Sequence, residues 1–348
     1  MGRWVGTVVT PPPRSGSSIP MDASSPVIPT LFPGHPRSHP PYLTMSHASS
    51  PEDKLRRSIW ARVYKDLLHQ AIPDSRFSYD FLSFTPDFRQ SDSAIRHVAG
   101  LACYQAASTI LVTPDNSLEG LRFRALQEGK RVLVSTYRMR RGFVLLDPAK
   151  IEERLWRYAA CLDGMEKPGV GRAVTLAQLR EEGVRVDVCA TGALVLNRQG
   201  VVIWEGQALF EVQWSIFHDL GVVQTNTPVV AVAHACQVVE EAALGMESIL
   251  PTKPGEVQCD LVVTPEGVLQ VHGAVKPTEQ MDFTRVDSDA LDNLPPLQEW
   301  KGIKMMEQIM QQGGFKRSPE ESRIPSAEEQ MGIRIVEKLM KSHHTLPS

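Results

Sequence analysis

Short apolar segments alternate with helical patterns along most of the chain, and this alternation limits the folds that are open to it. Apolar runs at residues 108–112, 131–135, 228–234 and 260–263 each have the length of one buried strand. Strands that are joined by helices pair in parallel, because the connecting helix must cross a face of the sheet. The sequence therefore predicts an α/β fold in which helices cover both faces of a mainly parallel sheet.

Helical patterns fill the intervals between these runs. The first predicted helix begins near Pro51, and its apolar stripe recurs every four residues at Leu55, Ile59, Val63 and Leu67. Further helices are predicted over residues 91–107, 118–128 and 208–220. Together with the strands, they predict a sheet that is buried on both sides.

The middle of the chain combines a helix start with a pair of strands. Thr175 and Gln178 form a capping box, which predicts a short helix that begins at this point. Residues 186–196 and 201–204 then predict two strands that are joined by the turn at residues 197–200. Here two predicted strands follow each other without a helix between them.

The two ends of the chain differ from its middle. The first 50 residues contain ten prolines and a single acidic residue, Asp22. Sequence that is rich in proline and poor in apolar residues buries too little surface to offset its chain entropy, so residues 1–50 are predicted to be a disordered tail. Residues 51–280 are the predicted folded domain, and residues 281–348 a C-terminal extension that is helical and partly disordered. Its predicted helices span residues 298–312 and 326–342.

Charge and hydropathy bear on the class of partner. The formal net charge is −3 and the isoelectric point is about 6.4, so the chain as a whole does not attract nucleic acid or an anionic membrane. We find no apolar run of the roughly 18 residues that a transmembrane helix needs. We therefore expect neither a membrane nor a nucleic acid as partner, and the sequence leaves the oligomeric state open.

The cysteines predict a reducing environment. No two of them are spaced as CxxC, and there are five: Cys103, Cys161, Cys189, Cys236 and Cys259. An odd number without this spacing argues against a disulfide framework and against a structural zinc site. We expect a cytoplasmic protein. A mitochondrial location is the alternative, because Arg3 and Arg14 stand in an N-terminal segment that has no acidic residue before Asp22.

Six segments of the chain recur in the same order in one known family. They are residues 54–60, 113–122, 132–142, 186–192, 205–206 and 234–239. The longest read TPDNSLEGLR and VLVSTYRMRRG. With these segments the chain resembles the 5-formyltetrahydrofolate cyclo-ligase family, also called the methenyltetrahydrofolate synthetase family, and in particular its divergent synthetase domain-containing branch. The resemblance covers roughly residues 51–275.

This resemblance implies a three-layer αβα sandwich, related to the sugar-phosphate isomerases and the CoA transferases. It also implies a reaction, in which ATP is used to close 5-formyltetrahydrofolate into 5,10-methenyltetrahydrofolate. The formyl oxygen attacks the γ-phosphate, the neighbouring nitrogen captures the activated carbon, and phosphate leaves. By this resemblance the partner is a folate-like small molecule, and the cofactors are ATP and magnesium.

The resemblance assigns roles to two groups of basic residues. Lys54 and Arg57 match the family's N-terminal basic pair, which contacts ATP phosphates, although they also fit a solvated helix face. Arg138 and Arg140 follow a strand end, where α/β sheets bind ligands, and are expected on one side of an extended segment. They resemble the family's basic segment, which implies contact with phosphate or with the glutamate tail of folate. The alternative is a surface-charge cluster.

His234 ends a predicted buried strand, and Gln237 follows it in the order His-Ala-Cys-Gln. The family pattern at this place is His-Asp-x-Gln, so Ala235 departs from it. The sequence leaves two roles open for His234: contact with a ligand, or a local hydrogen bond that stabilises the strand end.

The segment that leads into the predicted helix at 208–220 departs furthest from the family. In the family, a loop of the type Gly-Lys-Gly-x-Gly precedes a helix with an Asp in its first turn, so that backbone amides can approach the phosphates. Here Gly206 remains, and Leu209 replaces the Asp. The other glycine and lysine positions hold Val202, Ile203 and Trp204.

Two carboxylates of the same segment remain as candidate catalytic residues. They are Glu205 and Glu211, and Glu211 is also the candidate ligand of magnesium. Because branched side chains resist positive φ and a tryptophan hinders close backbone approach, we expect the ATP-dependent activity to be reduced or lost. The alternatives are a protein that binds folate or nucleotide without turnover and, further off, an RNA-associated protein.

Overall fold

The computed structural model describes residues 51–205, 209–240, 256–278 and 294–312. The predicted tail and the predicted helix at residues 326–342 lie outside them. The helices of the described residues are α1 (Pro51–Gln70), α2 (Ser91–Gly100), α3 (Ala102–Ala106), α4 (Glu119–Gln127), α5 (Trp156–Ala160), α6 (Leu176–Glu181), α7 (Phe210–Asp219) and α8 (Pro295–Gln312). The strands are β1 (Ala71–Ile72), β2 (Asp87–Phe88), β3 (Thr109–Val112), β4 (Arg131–Ser135), β5 (Phe143–Leu146), β6 (Arg172–Val174), β7 (Val188–Gly192), β8 (Val195–Asn197), β9 (Val202–Trp204), β10 (Val229–Val232), β11 (Val238–Val239), β12 (Leu261–Thr264) and β13 (Gly267–Gln270).

Eight of these strands form one sheet within the described part of the chain, in the order β13-β12-β10-β7-β3-β4-β5-β6. The central strands, from β12 to β4, run parallel to one another. The outer strands β13, β5 and β6 pair antiparallel at the two ends. Branched apolar residues fill strands such as β10 because they pack well on a pleated surface. The prediction of a mainly parallel sheet is confirmed.

Alternate residues of the central strands enter two separate hydrophobic cores. Leu111 and Leu133 lie in one core, which helices α6, α7 and α8 cover. Ile110 and Val132 lie in the other, which helices α2, α4 and α5 cover. Successive side chains of a strand point to opposite faces, so the sheet is the middle of three layers. The fold is an αβα sandwich, as the sequence predicts.

The predicted helix at residues 91–107 is two helices. Leu101 stands between α2 and α3 in an extended conformation, with φ −69° and ψ 135°. Gly100 comes directly before it, and glycine is a poor helix former because it loses the most backbone freedom on folding. A single glycine in a helical pattern is a weak stop signal, so the sequence did not predict this break.

The predicted strand at residues 186–196 is also divided. Its first part is β7 in the main sheet, and its last residues form β8, which pairs with β9 and β11 in a separate small sheet. Between them, Gln237 donates from Nε2 to the carbonyl oxygens of Ala193 (2.7 Å) and Leu194 (3.3 Å). This side chain replaces the strand partners at the point where the chain leaves the main sheet.

Helix α8 belongs to the predicted C-terminal extension, yet it packs on the core. Leu297 and Trp300 are buried, and the indole Nε1 of Trp300 donates to Asp219 Oδ2 at 2.6 Å. Lys304 Nζ lies 2.6 Å from the same carboxylate oxygen. Residues that the sequence assigned to an extension therefore complete one of the two cores.

The helices were also compared with the length and apolar content of a membrane span. Within the residues described, no helix combines the length and the apolar content that crossing a bilayer requires.

The five cysteines are free thiols, of which Cys189 and Cys259 are buried in the core that α7 covers. Burial raises the pKa of both, to about 12 for Cys259, so both thiols keep their protons at neutral pH.

Candidate functional site

The two neighbouring strands β3 and β7 mark the point where the connections of the sheet change side. β3 leads to β4 on one side, and β7 leads to β10 on the other. Such switch points open a crevice at the carboxyl ends of the strands. There the backbone N–H of Gly192 donates to Asp115 Oδ2 at 3.0 Å, and the Thr113 hydroxyl donates to the same oxygen. A Cβ at Gly192 would lie 2.9 Å from Asp115 Cγ, so this approach requires glycine.

The segment that the sequence assigned to the phosphate loop is partly a strand. Val202–Trp204 is β9, and it pairs antiparallel with β8. These residues therefore belong to a strand and not to an open loop, and whether they stand in place of the family's glycines and lysine stays a prediction. The strand predicted over residues 201–204 is confirmed, and its pairing with β8 holds these residues in an extended conformation. The chain between β9 and α7 is residues 205–209, and Gly206, the expected loop glycine, lies outside the described residues.

The N-terminus of α7 meets a carboxylate of the chain itself. Phe210, the first residue of the helix, donates its backbone N–H to Glu205 Oε2 at 3.3 Å. Leu209, directly before it, is buried and has φ 55°, a left-handed conformation that few residues other than glycine adopt. A helix N-terminus has unpaired N–H groups and a partial positive charge, which favour an anion. In this protein the anion is the side chain of Glu205.

Arg56, on α1, is the cation of this site, and the sequence interpretation missed it. Its guanidinium donates to the carbonyl oxygens of Val202 (3.2 Å) and Ile203 (3.3 Å), and it pairs with the carboxylate of Glu256. Arg56 and Glu256 are both buried. The signal that could have found Arg56 is its position three residues before Ile59, on the apolar side of α1, where a charge must have a partner.

Lys54 and Arg57 occupy a different part of α1. Both are exposed. At about 100° per residue, Lys54 lies on nearly the opposite side of the helix from Arg56. The structure therefore brings Arg56, rather than the predicted basic pair, to the carboxylates beside α7. Contact of Lys54 and Arg57 with phosphate stays a prediction.

Two carboxyl groups at the start of α7 hold their protons more strongly than usual: Glu205, before the helix, and Glu211, its second residue. Burial, and then the carboxylate of Asp115, raise the pKa of Glu205 to about 7. Burial and the carboxylates of Glu205 and Glu256 raise the pKa of Glu211 well above its ordinary value, and the charge of Arg56 opposes this only in part. Crowded carboxyl groups share protons near neutral pH. Such groups suit proton transfer, but in the protonated state they are poor metal ligands.

The predicted magnesium site at Glu211 has few ligands to support it. Among the described residues, no three His, Cys, Asp or Glu side chains are arranged to hold a metal ion. Magnesium is commonly bound by one or two carboxylates together with phosphate oxygens, so a site at Glu211 would depend on a bound nucleotide. The raised pKa of Glu211 works against that site. ATP and magnesium therefore fit this end of α7 poorly.

The basic segment after β4 is a turn, and the expected extended conformation is wrong. Tyr137–Met139 is a 3-10 helix in which Arg138 and Met139 have φ values of 55° and 51°. The guanidinium of Arg138 lies 5.4 Å from the centre of the Tyr137 ring, while Arg140 is exposed. Because the chain turns at Arg138, simple alternation does not place Arg138 and Arg140 on one side. Their contact with a ligand stays a prediction.

A large cavity lies beside this turn. Its volume is about 840 Å³, within the usual range for small-molecule sites. Its lining combines aromatic rings with charged groups, among them Arg76, Phe77, Tyr137, Arg141, Asp163 and Glu166. The rings of Phe77 and Tyr137 are stacked with centres 5.3 Å apart, and Arg141 Nη2 donates to Glu166 Oε1 at 2.8 Å. Distant segments of the chain meet here, so no local pattern in the sequence predicted the cavity.

Two carboxylates hold Arg76 at the wall of this cavity. Arg76 Nη2 lies 2.7 Å from Asp74 Oδ2, and Nη1 lies 3.1 Å from Asp163 Oδ1. Asn116, just after β3, donates to the same Asp74 oxygen at 2.6 Å. The hydrogen bond from Arg76 lowers the pKa of Asp74 far below its usual range. The network connects the cavity wall to the switch point between β3 and β7.

His234 makes local hydrogen bonds at the end of its strand, which is one of the two roles that the sequence left open. Its backbone N–H donates to Gln237 Oε1 at 2.7 Å, and its Nδ1 accepts from the backbone N–H of Cys236 at 3.3 Å. These contacts cap the 3-10 helix Ala235–Gln237 that follows β10. Burial lowers the pKa of His234, so its ring is neutral at pH 7. Contact of His234 with a ligand stays a prediction.

Comparison with protein families identifies the family to which the chain is similar. The model of the 5-formyltetrahydrofolate cyclo-ligase family matches residues 74–265. Among curated proteins, the methenyltetrahydrofolate synthase domain-containing protein of Mus musculus is 26% identical over 245 residues, which cover 68% of this chain and 62% of the mouse protein. The protein of the same name from Homo sapiens is 24% identical over 240 residues, with 68% of this chain and 59% of the human protein covered.

The matches cover different shares of the proteins that are compared. The chain spans about three-fifths of the length of the mouse and human proteins that it matches. Among solved structures, the NMR structure of Aquifex aeolicus 5,10-methenyltetrahydrofolate synthetase matches with a TM-score of 0.37 and 15% identity. That match covers 64% of this chain and 94% of the Aquifex chain.

Proposed function

Because the chain belongs to the 5-formyltetrahydrofolate cyclo-ligase family, we propose that it keeps a site for a folate-like small molecule while its ATP-dependent cyclisation is strongly reduced or lost. In the family, this reaction converts 5-formyltetrahydrofolate to 5,10-methenyltetrahydrofolate. One observation carries the proposal. Glu205 accepts the backbone N–H of Phe210 at 3.3 Å, so a carboxylate of the chain stands at the N-terminus of α7.

A bound triphosphate would meet unfavourable charges at this place. Phosphate binds at a helix N-terminus through free N–H groups and a partial positive charge, and Glu205 already accepts one of these N–H groups, that of Phe210. Glu256 adds a second carboxylate, and Arg56 is held by Glu256 and two carbonyl oxygens, so it is not available to a phosphate. Glu211, whose pKa is raised, adds negative charge only where it releases its proton. Like charges 4 Å apart repel by about 4 kcal/mol near a protein surface. ATP binding at the N-terminus of α7 is therefore disfavoured.

The cavity beside Tyr137 supports the binding half of the proposal. A planar aromatic ligand can stack against the rings of Phe77 and Tyr137, and Arg141 can meet a ligand carboxylate at the exposed rim. None of these residues belongs to the segment between β9 and α7, so binding does not depend on that segment. This observation favours the second candidate function, a protein that binds a folate without turnover.

Ligand binding and ATP hydrolysis can be measured separately on the purified protein. We expect 5-formyltetrahydrofolate to raise the melting temperature, because a ligand that binds the folded state stabilises it. We expect ATP with magnesium to cause little shift and little release of ADP, with or without the folate. A cyclo-ligase of known activity, assayed in the same buffer, is the positive control.

This experiment tests folate binding and loss of cyclisation independently of each other. A protein that shows no shift with the folate does not keep the site that we propose. A protein that releases ADP in step with methenyltetrahydrofolate, at a rate near that of the control enzyme, retains the catalytic activity that we propose is reduced or lost.

A further inference from the structure

Helix α8 has two apolar faces, and only one of them packs on the core. Leu297 and Trp300 lie on the inner face and are buried. The outer face carries the α8 stripe, four side chains that are between 54% and 71% exposed: Met305, Met306, Ile309 and Met310. At about 100° per residue these four span an arc of about 140°, and its centre lies roughly opposite Trp300.

The α8 stripe differs from the other exposed apolar residues of the described part of the chain. Those residues stand at scattered positions, such as Ile72 and Val275, and single exposed apolar side chains are normal. Four large ones within six residues form a continuous patch, and patches of this kind commonly mark a contact surface. Three of the four are methionines, whose flexible side chains adapt to an opposing surface.

A second unpartnered apolar face follows in the same chain. Residues 313–348 lie outside the described residues, so only their sequence is used. Within the predicted helix at 326–342, apolar residues recur every four positions at Met331, Ile335 and Leu339. From Met331 onward, Ile333, Val336 and Met340 widen this apolar face to an arc of about 200°. The charged residues Arg334, Glu337, Lys338 and Lys341 lie together on the rest of the circumference. A helix of this pattern must bury its apolar face against something.

The connection between the two apolar faces permits them to meet. Gly313 and Gly314 follow α8 directly, and glycine at this place ends a helix and lets the chain turn. Residues 313–325 include Pro319 and Pro325, which do not continue a helix. This connection can extend over roughly 40 Å, whereas the stripe is only about 9 Å long.

We propose that residues 326–342 cover the α8 stripe as an amphipathic helix that packs antiparallel to α8. The two helices then form an αα-hairpin on the outside of the sandwich. A tethered segment has an effective concentration in the millimolar range, so it outcompetes a second copy of the chain at ordinary protein concentrations. The inference is independent of the proposed function, since it uses no residue of the cavity or of the α7 site.

Oxidation of the methionines tests this proposal on the full chain. The rate at which peroxide oxidises Met305, Met306 and Met310 is measured by mass spectrometry for the parent protein and for Ile335→Asp. We expect Ile335→Asp to raise these rates several-fold, because a charge on the apolar face of residues 326–342 releases the stripe. Arg334→Ser, on the polar face of the same segment, is the matched control and should leave the rates unchanged.

A reciprocal variant keeps the test independent of any single substitution. Ile309→Asp should increase amide exchange across residues 326–342, whereas Gln308→Asp on the same helix should not. The proposal is overturned if the parent already oxidises as fast as Ile335→Asp, or if neither substitution changes its readout. Protection that depends on protein concentration, with a dimer in light scattering, would overturn it in favour of a second copy.

Discussion

Glu205 and Phe210 are joined by a hydrogen bond of 3.3 Å between a carboxylate oxygen and the first backbone N–H of helix α7. The helix N-terminus that a phosphate would use is therefore engaged by the chain itself. Burial raises the pKa of this carboxyl group to about 7, and the neighbouring Glu211 is shifted upward as well. A triphosphate would have to displace this carboxylate in order to use the N-terminus of α7.

The substitution Glu205→Gln removes the negative charge while it keeps the size of the side chain. We expect ATP and inorganic triphosphate to bind more tightly to this variant, by about tenfold, because one repulsive pair in the range of 1–4 kcal/mol is lost. Calorimetry at pH 8, where Glu205 is ionised in the parent, measures the change. Glu153→Gln, an exposed glutamate away from α7, is the control. Equal affinity in parent and Glu205→Gln would show that Glu205 does not repel phosphate.

The stability of the protein should fall with rising pH over a defined window. The folded state holds the Glu205 proton up to about pH 7, whereas an unfolded glutamate releases it near its ordinary pKa of 4.5. Between these values the folded state binds more protons, so the contribution of Glu205 to the free energy of unfolding decreases as the pH rises and levels off above about 7. Urea unfolding from pH 4.5 to 8 should show this loss, and Glu205→Gln should reduce it. A parent curve that rises through this window contradicts the assignment.

Removal of the buried cation should destabilise the fold. Arg56→Ala removes the buried ion pair with Glu256 and the donor to two carbonyl oxygens, which we expect to cost about 3–5 kcal/mol. Lys54→Ala, two residues away and exposed, should stay within about 0.5 kcal/mol of the parent. Chemical denaturation measures both. In the double variant Arg56→Ala/Glu256→Gln, the loss of stability should be smaller than the sum of the losses of the two single variants. A loss equal to that sum would argue against the ion pair.

The close approach at the switch point should not tolerate a side chain. In Gly192→Ala the new Cβ would lie 2.9 Å from Asp115 Cγ, so we expect a loss of about 1–3 kcal/mol from overpacking. A Cβ added at Gly302, on α8, would meet no neighbouring group of the described residues within 4 Å, and Gly302→Ala should be neutral or slightly stabilising. Thermal unfolding of the two variants compares them directly, and a Gly192→Ala protein as stable as the parent would refute the packing argument.

Ligand binding in the cavity should depend on its aromatic wall. Tyr137→Ala removes one of the two stacked rings, which are worth about 0.5–1.5 kcal/mol to an aromatic partner. We therefore expect the affinity for 5-formyltetrahydrofolate to fall by about two- to tenfold, as measured by titration of intrinsic fluorescence. Tyr158→Ala removes an exposed tyrosine that does not line the cavity, and it should leave the affinity unchanged.

Local patterns in the sequence predicted local structure well. The strand at residues 131–135 and the capping box of Thr175 and Gln178 appear as predicted, because each depends on neighbours within a few residues. The helix at 298–312 was also predicted, and it begins at Pro295. The parallel pairing of the central strands followed from the rule that helical crossovers join parallel strands.

The site could be predicted less well, because it depends on contacts between distant segments. Arg56 pairs with Glu256, which lies 200 positions away in the chain. Arginine is usually a surface residue, so residue type alone gave no reason to expect Arg56 to be buried. The strand at Val202–Trp204 was predicted, but the separate small sheet in which it pairs with β8 was not. The cavity at Tyr137 joins segments that share no motif, so its existence required the fold.

A single-turnover assay measures whether the unmodified chain carries out the cyclisation. Purified protein in molar excess over 5-formyltetrahydrofolate is mixed with ATP and magnesium, and the absorbance of 5,10-methenyltetrahydrofolate is followed. We predict no product on the timescale in which a functional cyclo-ligase completes the reaction, together with measurable binding of the folate. Stoichiometric formation of 5,10-methenyltetrahydrofolate by the unmodified chain would contradict the account, because it would require a triphosphate to bind productively despite Glu205.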